Sequence, residues 1–200
     1  MNYKNSRDTA WRILIKNQVS SLPVDVRSIC RSEHVRLFTY REGAELIDRL
    51  ELRAHTVGND AFSVSRIIFF DDQTSEARQR FSIAHELGHI VLHQPTAPTV
   101  YNREISPNDD PVESEANIFA SRLLAPLCVL HFLNLNSPRE ISELCRISMT
   151  AAQIRYERLR AVRQRDLEMQ SKTGRGCFLL SPLELRVYEN FCKYILKNKM

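Results

Sequence analysis

No apolar run in the chain approaches the roughly 20 residues that a membrane-spanning helix needs. The first eight residues, Met1-Asn-Tyr-Lys-Asn-Ser-Arg-Asp, lack the apolar stretch of a secretory signal. A cytoplasmic protein is therefore expected. Cysteine is sparse and scattered: Cys30, Cys128, Cys145, Cys177 and Cys192 are odd in number and form no C-x-x-C pair. That excludes a disulfide framework and a cysteine-rich zinc site, and predicts mostly buried thiols. No internal repeat or low-complexity tract is present. What remains is an ordinary globular composition of 200 residues, 43% of them hydrophobic, enough for a core in one domain with an appendage.

The formal charge of +4 is unevenly spread. Residues 151–200 carry eleven Lys/Arg against five Asp/Glu, a net +6, which leaves −2 for the rest. A basic end of this kind is a solvated helix face or a surface for nucleic acid or an acidic partner.

Apolar spacing predicts helices at 9–18 (Ala10, Trp11, Leu14, Ile15 as the stripe), at 23–32 opened by Pro23, and at 44–52. Residues 35–40 and 64–70 read as strands, the second with Ile67-Ile68-Phe69-Phe70 as a buried run. Thr74 or Ser75 can cap a helix that Pro95 stops near His93. Residues 94–110 read as a loop. Further helices are predicted at 112–124, after the Ser137-Pro138-Arg139-Glu140 cap, from Ser148 to about 168, and at 182–196.

The informative string is His85-Glu86-Leu87-Gly88-His89. Histidines four apart lie about 40° apart around a helix and one turn apart along it, so both imidazoles can reach one metal ion. Imidazole suits zinc. Glu86 projects beside the ion, where it can take a proton from activated water and return it to a leaving amine. A third protein ligand is needed, with a fourth position left open. His93 lies about 12 Å along the axis from His85, too far to share an ion. In the next helix Glu113 shares a face with Ala116, Asn117, Ala120 and Leu124. Glu115 shares the opposite side with Ser121 and Arg122. Glu113 is thus the expected third ligand and Glu115, expected to face water, the alternative. Asn117, polar on an apolar face, is expected to bond the free ring nitrogen of His85 or His89.

These residues carry a resemblance. Arg80-Phe81-Ser82-Ile83-Ala84-His85-Glu86-Leu87-Gly88-His89-Ile90-Val91-Leu92-His93, followed by Glu113-x-x-Ala116-Asn117-x-Phe119-Ala120 and Leu123-Leu124-x-Pro126, resembles the ImmA/IrrE family of metallo-endopeptidases. The likeness extends upstream to Ser21-Leu22-Pro23-Val24-Asp25 and downstream to Arg158-Leu159. It implies an α+β, zincin-like domain over 1–135, its small sheet set against the HExxH helix. A helical, helix-turn-helix-like extension over 136–200 packs on it. It implies a gluzincin-like zinc site that Glu113 completes. The implied substrate is a helix-turn-helix (Xre-like) repressor of the kind that guards mobile elements or stress responses.

Residues 140–159 could themselves pass for a helix-turn-helix. Their arginines point to different sides of the second helix, so packing on the core is expected and direct nucleic-acid binding is not. The alternative function is a non-proteolytic DNA-binding or repressor-binding regulator with a structural or vestigial zinc. Glu86 argues against it, since a structural site needs no base and fills its fourth position. Tyr101, His131 and Tyr156 qualify by type as oxyanion donors, and none by spacing. The basic stretch, through Arg155, Arg158 and Arg163, is expected to dock the repressor.

Overall fold

The amphipathic stripe near the N-terminus folds as α1 (Tyr3–Lys16), six residues earlier than expected at its start. It buries Ala10, Trp11, Ile13 and Leu14, while Ile15 is only partly covered. The computed structural model describes residues 3–93, 110–173 and 180–199. Helix α2 (Val26–Ser32) begins later than Pro23 predicts. The Asp25 side chain accepts from the Ser28 amide at 3.0 Å and satisfies an orphan donor of the first turn, so the cap sets the start. Strand β1 (Arg36–Thr39) and helix α3 (Ala44–Arg49) follow, then a 3₁₀ turn at Arg53–Thr56.

The stretch read as one strand over 64–70 is the second half of a hairpin. β2 (Ala61–Val64) turns at Ser65 into β3 (Ile67–Phe70), and the sheet runs β1-β3-β2 with β1 parallel and β2 antiparallel to β3. Ser65 takes a positive φ of 55°, where hairpins usually place Gly or Asn. The usual sequence signal is absent, so the hairpin was missed. Side chains alternate across the sheet. Ala61, Ile68 and Phe70 join the main core, while Phe62, Val64 and Phe69 pack with Ile47 and Leu52 on the other side. Ser63, two residues from Ala61, stands on the main-core face.

Helix α4 (Glu76–His93) crosses that face and packs against α5 (Pro111–Leu124), with α1 on α5 in turn. Asp110 caps α5 by accepting from the Val112 amide at 2.8 Å, and Pro111 takes the first helical position. Phe119, Leu123 and Leu124 are fully buried, each contributing about 1.5–3 kcal/mol over leaving it exposed. At the crossing sits Gly88. A Cβ there would lie 3.0 Å from Phe119 Cδ1 and 3.2 Å from Ala116 Cα, so the missing side chain lets the two helices touch.

Pro126 ends α5 as expected but also opens α6 (Leu127–Phe132), which the sequence reading lacked. Then come α7 (Pro138–Cys145), α8 (Met149–Thr173) and α9 (Pro182–Asn198), the last with a full capping box at Ser181 and Glu184. Ile141, Cys145, Ala152, Leu159, Val187 and Phe191 lie in the same apolar cluster as Leu14 and Leu87. The molecule is α+β: mostly helical, with one small sheet and a helical C-terminal part. Cys30, Cys128 and Cys145 are buried free thiols whose pKa values burial pushes up to about 12. Cys177 lies outside the described residues. Among those residues, no helix is long and apolar enough to cross a membrane.

The basic stretch is less available than its charge implies. Arg155 is 2% exposed and its Nε donates to the Ala125 carbonyl at 3.0 Å, neutralising the C-terminal end of α5. Arg163 Nη1 donates to the Leu135 carbonyl at 2.8 Å. Of the three arginines expected to dock a partner, Arg155 holds the end of α5 and Arg163 the connection between α6 and α7, and Arg158 alone stays exposed without such a role.

Candidate metal centre

The one-turn spacing on α4 does what the helix geometry requires. His85 and His89 are buried, at 2% and 0% exposure, with their Nε2 atoms 3.0 Å apart. From the first turn of α5, Glu113 reaches both: its Oε2 is 3.1 Å from His85 Nε2 and its Oε1 3.1 Å from His89 Nε2. One donor atom from each residue lies within 4.8 Å of the others, and among the described residues no other such group of His, Cys, Asp or Glu occurs. Glu113 arrives there because Gly88 admits Ala116 against α4, and Ala116 is one turn further along the same face of α5.

The orientation of His85 is set from behind. Its Nδ1 lies 2.9 Å from Asn117 Oδ1. An amide oxygen only accepts, so Nδ1 carries the proton and Nε2 presents a lone pair. The Phe81 ring flanks the imidazole at 6.3 Å between centroids. A lone pair on Nε2 facing a carboxylate oxygen at 3.1 Å is an acceptor meeting an acceptor, unfavourable unless a cation joins them. Ligands about 2.0–2.1 Å from a tetrahedral ion stand roughly 3.3 Å apart, close to the separations found. The three residues therefore fit a metal ion. Burial pushes the Glu113 pKa up, but the neighbouring His85 and His89 outweigh it and hold the carboxyl well below the usual range, as an anion.

Glu86, next to His85 on α4, is not one of the clustered donors. It is 4% exposed, and Ser63 Oγ donates to its Oε2 at 2.8 Å. The sequence reading missed Ser63. Once β2 is recognised, strict alternation from Ala61 puts Ser63 toward α4, so the signal was there but hidden with the hairpin. His93 is outside the group, its Nε2 3.8 Å from Glu115 Oε2. Burial is the main cause lowering the His93 pKa, with the charge of His89 adding to it. Glu115 does not face water beside Arg122, as expected. It is half-buried against His93, because the last turn of α4 runs across the first turn of α5.

The remaining candidates fall elsewhere. His131, on α6, stacks edge-on against Phe132, and Tyr156 packs on the main core. Tyr101 lies outside the described residues. His34 is exposed, and His55 lies beside Phe62 at 5.8 Å.

Two histidines one turn apart on a buried helix, a carboxylate from the next helix and an unligated glutamate alongside are features of a metallopeptidase centre. The model of the Peptidase_M78 family, described as the IrrE N-terminal-like domain, matches residues 33–157, well over half of the chain. The chain belongs to this metallopeptidase family, and the resemblance to ImmA/IrrE is borne out. The match runs from before β1 into α8 and includes both helices of the metal centre. No curated protein matches the chain.

Proposed function

We propose that the protein is a cytoplasmic, zinc-dependent endopeptidase that cuts a helix-turn-helix (Xre-like) repressor. Residues 1–135 carry the chemistry and 136–200 form an extension packed on them. The observation that carries this reading is the convergence of His85, His89 and Glu113 at one buried point with Glu86 beside it. Two imidazoles and a carboxylate favour zinc over harder cations. When bound, the ion supplies Lewis acidity, which polarises the scissile carbonyl and makes a water easier to deprotonate.

The rest is done by this chain. Glu86 accepts the proton of the attacking water and delivers it to the departing amine. Ser63 fixes the Glu86 carboxylate through its Oε2, leaving Oε1 for the water. Asn117 keeps His85 in the tautomer whose Nε2 is a ligand. The repressor as substrate follows from the family resemblance. A folded repressor offers extended chain only in a linker or a locally opened stretch, so the cut is expected there.

The test is Glu86→Gln. Metal analysis should find one zinc per chain in both proteins, while cleavage of a co-encoded repressor falls about 10²–10⁴-fold. Undiminished cleavage removes Glu86 from the mechanism. Absence of zinc from the parent removes the metal reading, and a zinc-loaded parent that leaves the repressor intact removes the substrate.

A further inference from the structure

Behind His85, on the side of Asn117 rather than of the metal ligands, α4, α5 and α8 enclose an open groove of about 440 Å³. Phe81, Ile118 and Ile154 give it an apolar floor, and Arg122 and Arg158 stand at its side. Ile154 is a large apolar side chain left 56% exposed. Arg122 is half-buried, and its Nε is buried without a hydrogen-bond partner among the described residues. Among the described residues neither arginine forms an ion pair. Glu115, on the same side of α5 as Arg122, lies two turns earlier and stands against His93.

A third guanidinium, that of Arg155, lines the same groove. Burial pushes its pKa down to about 9, with the charges of Arg122 and Arg158 contributing. Burial also lowers the pKa of Arg122, with Arg158 and Arg7 adding to it and Glu184 opposing. Positive charge is therefore concentrated in a partly desolvated place where, among the described residues, no carboxylate is in contact. Such an arrangement favours an incoming anion, because much of the cost of removing the guanidinium from water has already been met on folding.

We propose that this groove is a specificity site for the protein substrate. It takes an acidic side chain on Arg122 and Arg158 and the neighbouring apolar side chain on Phe81, Ile118 and Ile154. The proposal rests on the endopeptidase reading for what the bound protein is, but binding in the groove does not require cleavage. The site lies on the Nδ1 side of His85, away from the clustered donor atoms, so its occupant is a segment of the substrate outside the cleft that holds the scissile bond. A helix or linker with adjacent acidic and apolar residues fits, whereas a nucleic-acid backbone offers charge without the apolar contact.

The test is binding to the zinc-loaded Glu86→Gln full chain, read by fluorescence anisotropy. The probes are two labelled, end-capped hexapeptide libraries with Leu fixed beside a central Glu or a central Gln. The Glu library should bind about tenfold more tightly, as a charge-assisted pair gives, and the advantage should shrink with added salt. Arg158→Gln, at an exposed position, should remove most of the advantage without changing the melting temperature, and Arg122→Gln should do likewise. Ile154→Ser should weaken both libraries. Equal binding of the two libraries, or an advantage unchanged in Arg158→Gln and Arg122→Gln, overturns the proposal. So does tight binding of a DNA duplex with no binding of peptide. A tenfold preference in a protein whose Glu86 parent cuts no repressor would keep the groove and discard the protease reading.

Discussion

Gly88→Ala is a one-methyl test of how the metal centre is assembled. The added Cβ would sit 3.0 Å from Phe119 Cδ1, 3.2 Å from Ala116 Cα and 3.4 Å from Ala116 O. Carbon atoms settle about 3.5–4.0 Å apart, so the contact must open by roughly 0.5 Å. The Phe119 ring can swing aside. Ala116 Cα is backbone and moves only with α5, and Glu113, on the same face one turn earlier, moves with it. Metal–ligand distances hold to within about 0.2 Å, so Glu113 must stretch its bond or reorient. A loss of about 10–100-fold in zinc affinity is expected, the range found when groups supporting a ligand are disturbed. The apo fold should suffer less, because replacing a mid-helix Gly by Ala returns about 1 kcal/mol against about 1–3 kcal/mol for overpacking.

The two effects separate in a melting experiment. A 10–100-fold weaker site forfeits about 1.4–2.8 kcal/mol of zinc-linked stability. For a chain of this size that is a zinc-induced rise in Tm smaller by roughly 3–11 °C. Competition with a chromophoric chelator measures the affinity directly. If Gly88→Ala binds zinc as the parent does, the helix spacing does not set the position of Glu113, and the reasoning is wrong.

Glu113→Ala should lose zinc in the same titration, while Glu115→Ala, whose partner is His93, keeps it; the reverse result would reassign the third ligand. Asn117→Ala should weaken zinc binding by about 10–100-fold through the freed His85 ring, and an unchanged affinity would deny Asn117 that role. Ser63→Ala should retain zinc but lower kcat about tenfold, since Glu86 loses a donor that orients it; a rise in KM with kcat unchanged would place Ser63 in substrate binding instead.

Helical periodicity made the ligands legible. It specifies which residues share a face, and that sufficed to join His85 to His89 and to prefer Glu113 over Glu115. It does not specify what lies opposite a face, so the His93 partner of Glu115 and the Ser63 partner of Glu86 stayed hidden. The hairpin was lost because Ser65 turns with a positive φ that its residue type does not advertise. Helix α6 was lost because Pro126 can open a helix as well as end one.

Charge counting failed in a different way. It located a net +6 beyond residue 150 and treated each arginine as available. Folding engages Arg155 with the Ala125 carbonyl at the end of α5, where the aligned peptide dipoles offset its charge, and Arg163 with the Leu135 carbonyl between α6 and α7. Arg122 belongs to the segment of net negative charge, yet among the described residues it has no carboxylate in ion-pair contact, since Glu115 on the same side of α5 lies two turns away, beside His93. Where a partner can dock therefore depends on which cations the fold leaves uncompensated. Arg122 and Arg158 meet that condition together where α5 meets α8, behind the histidine that Asn117 orients.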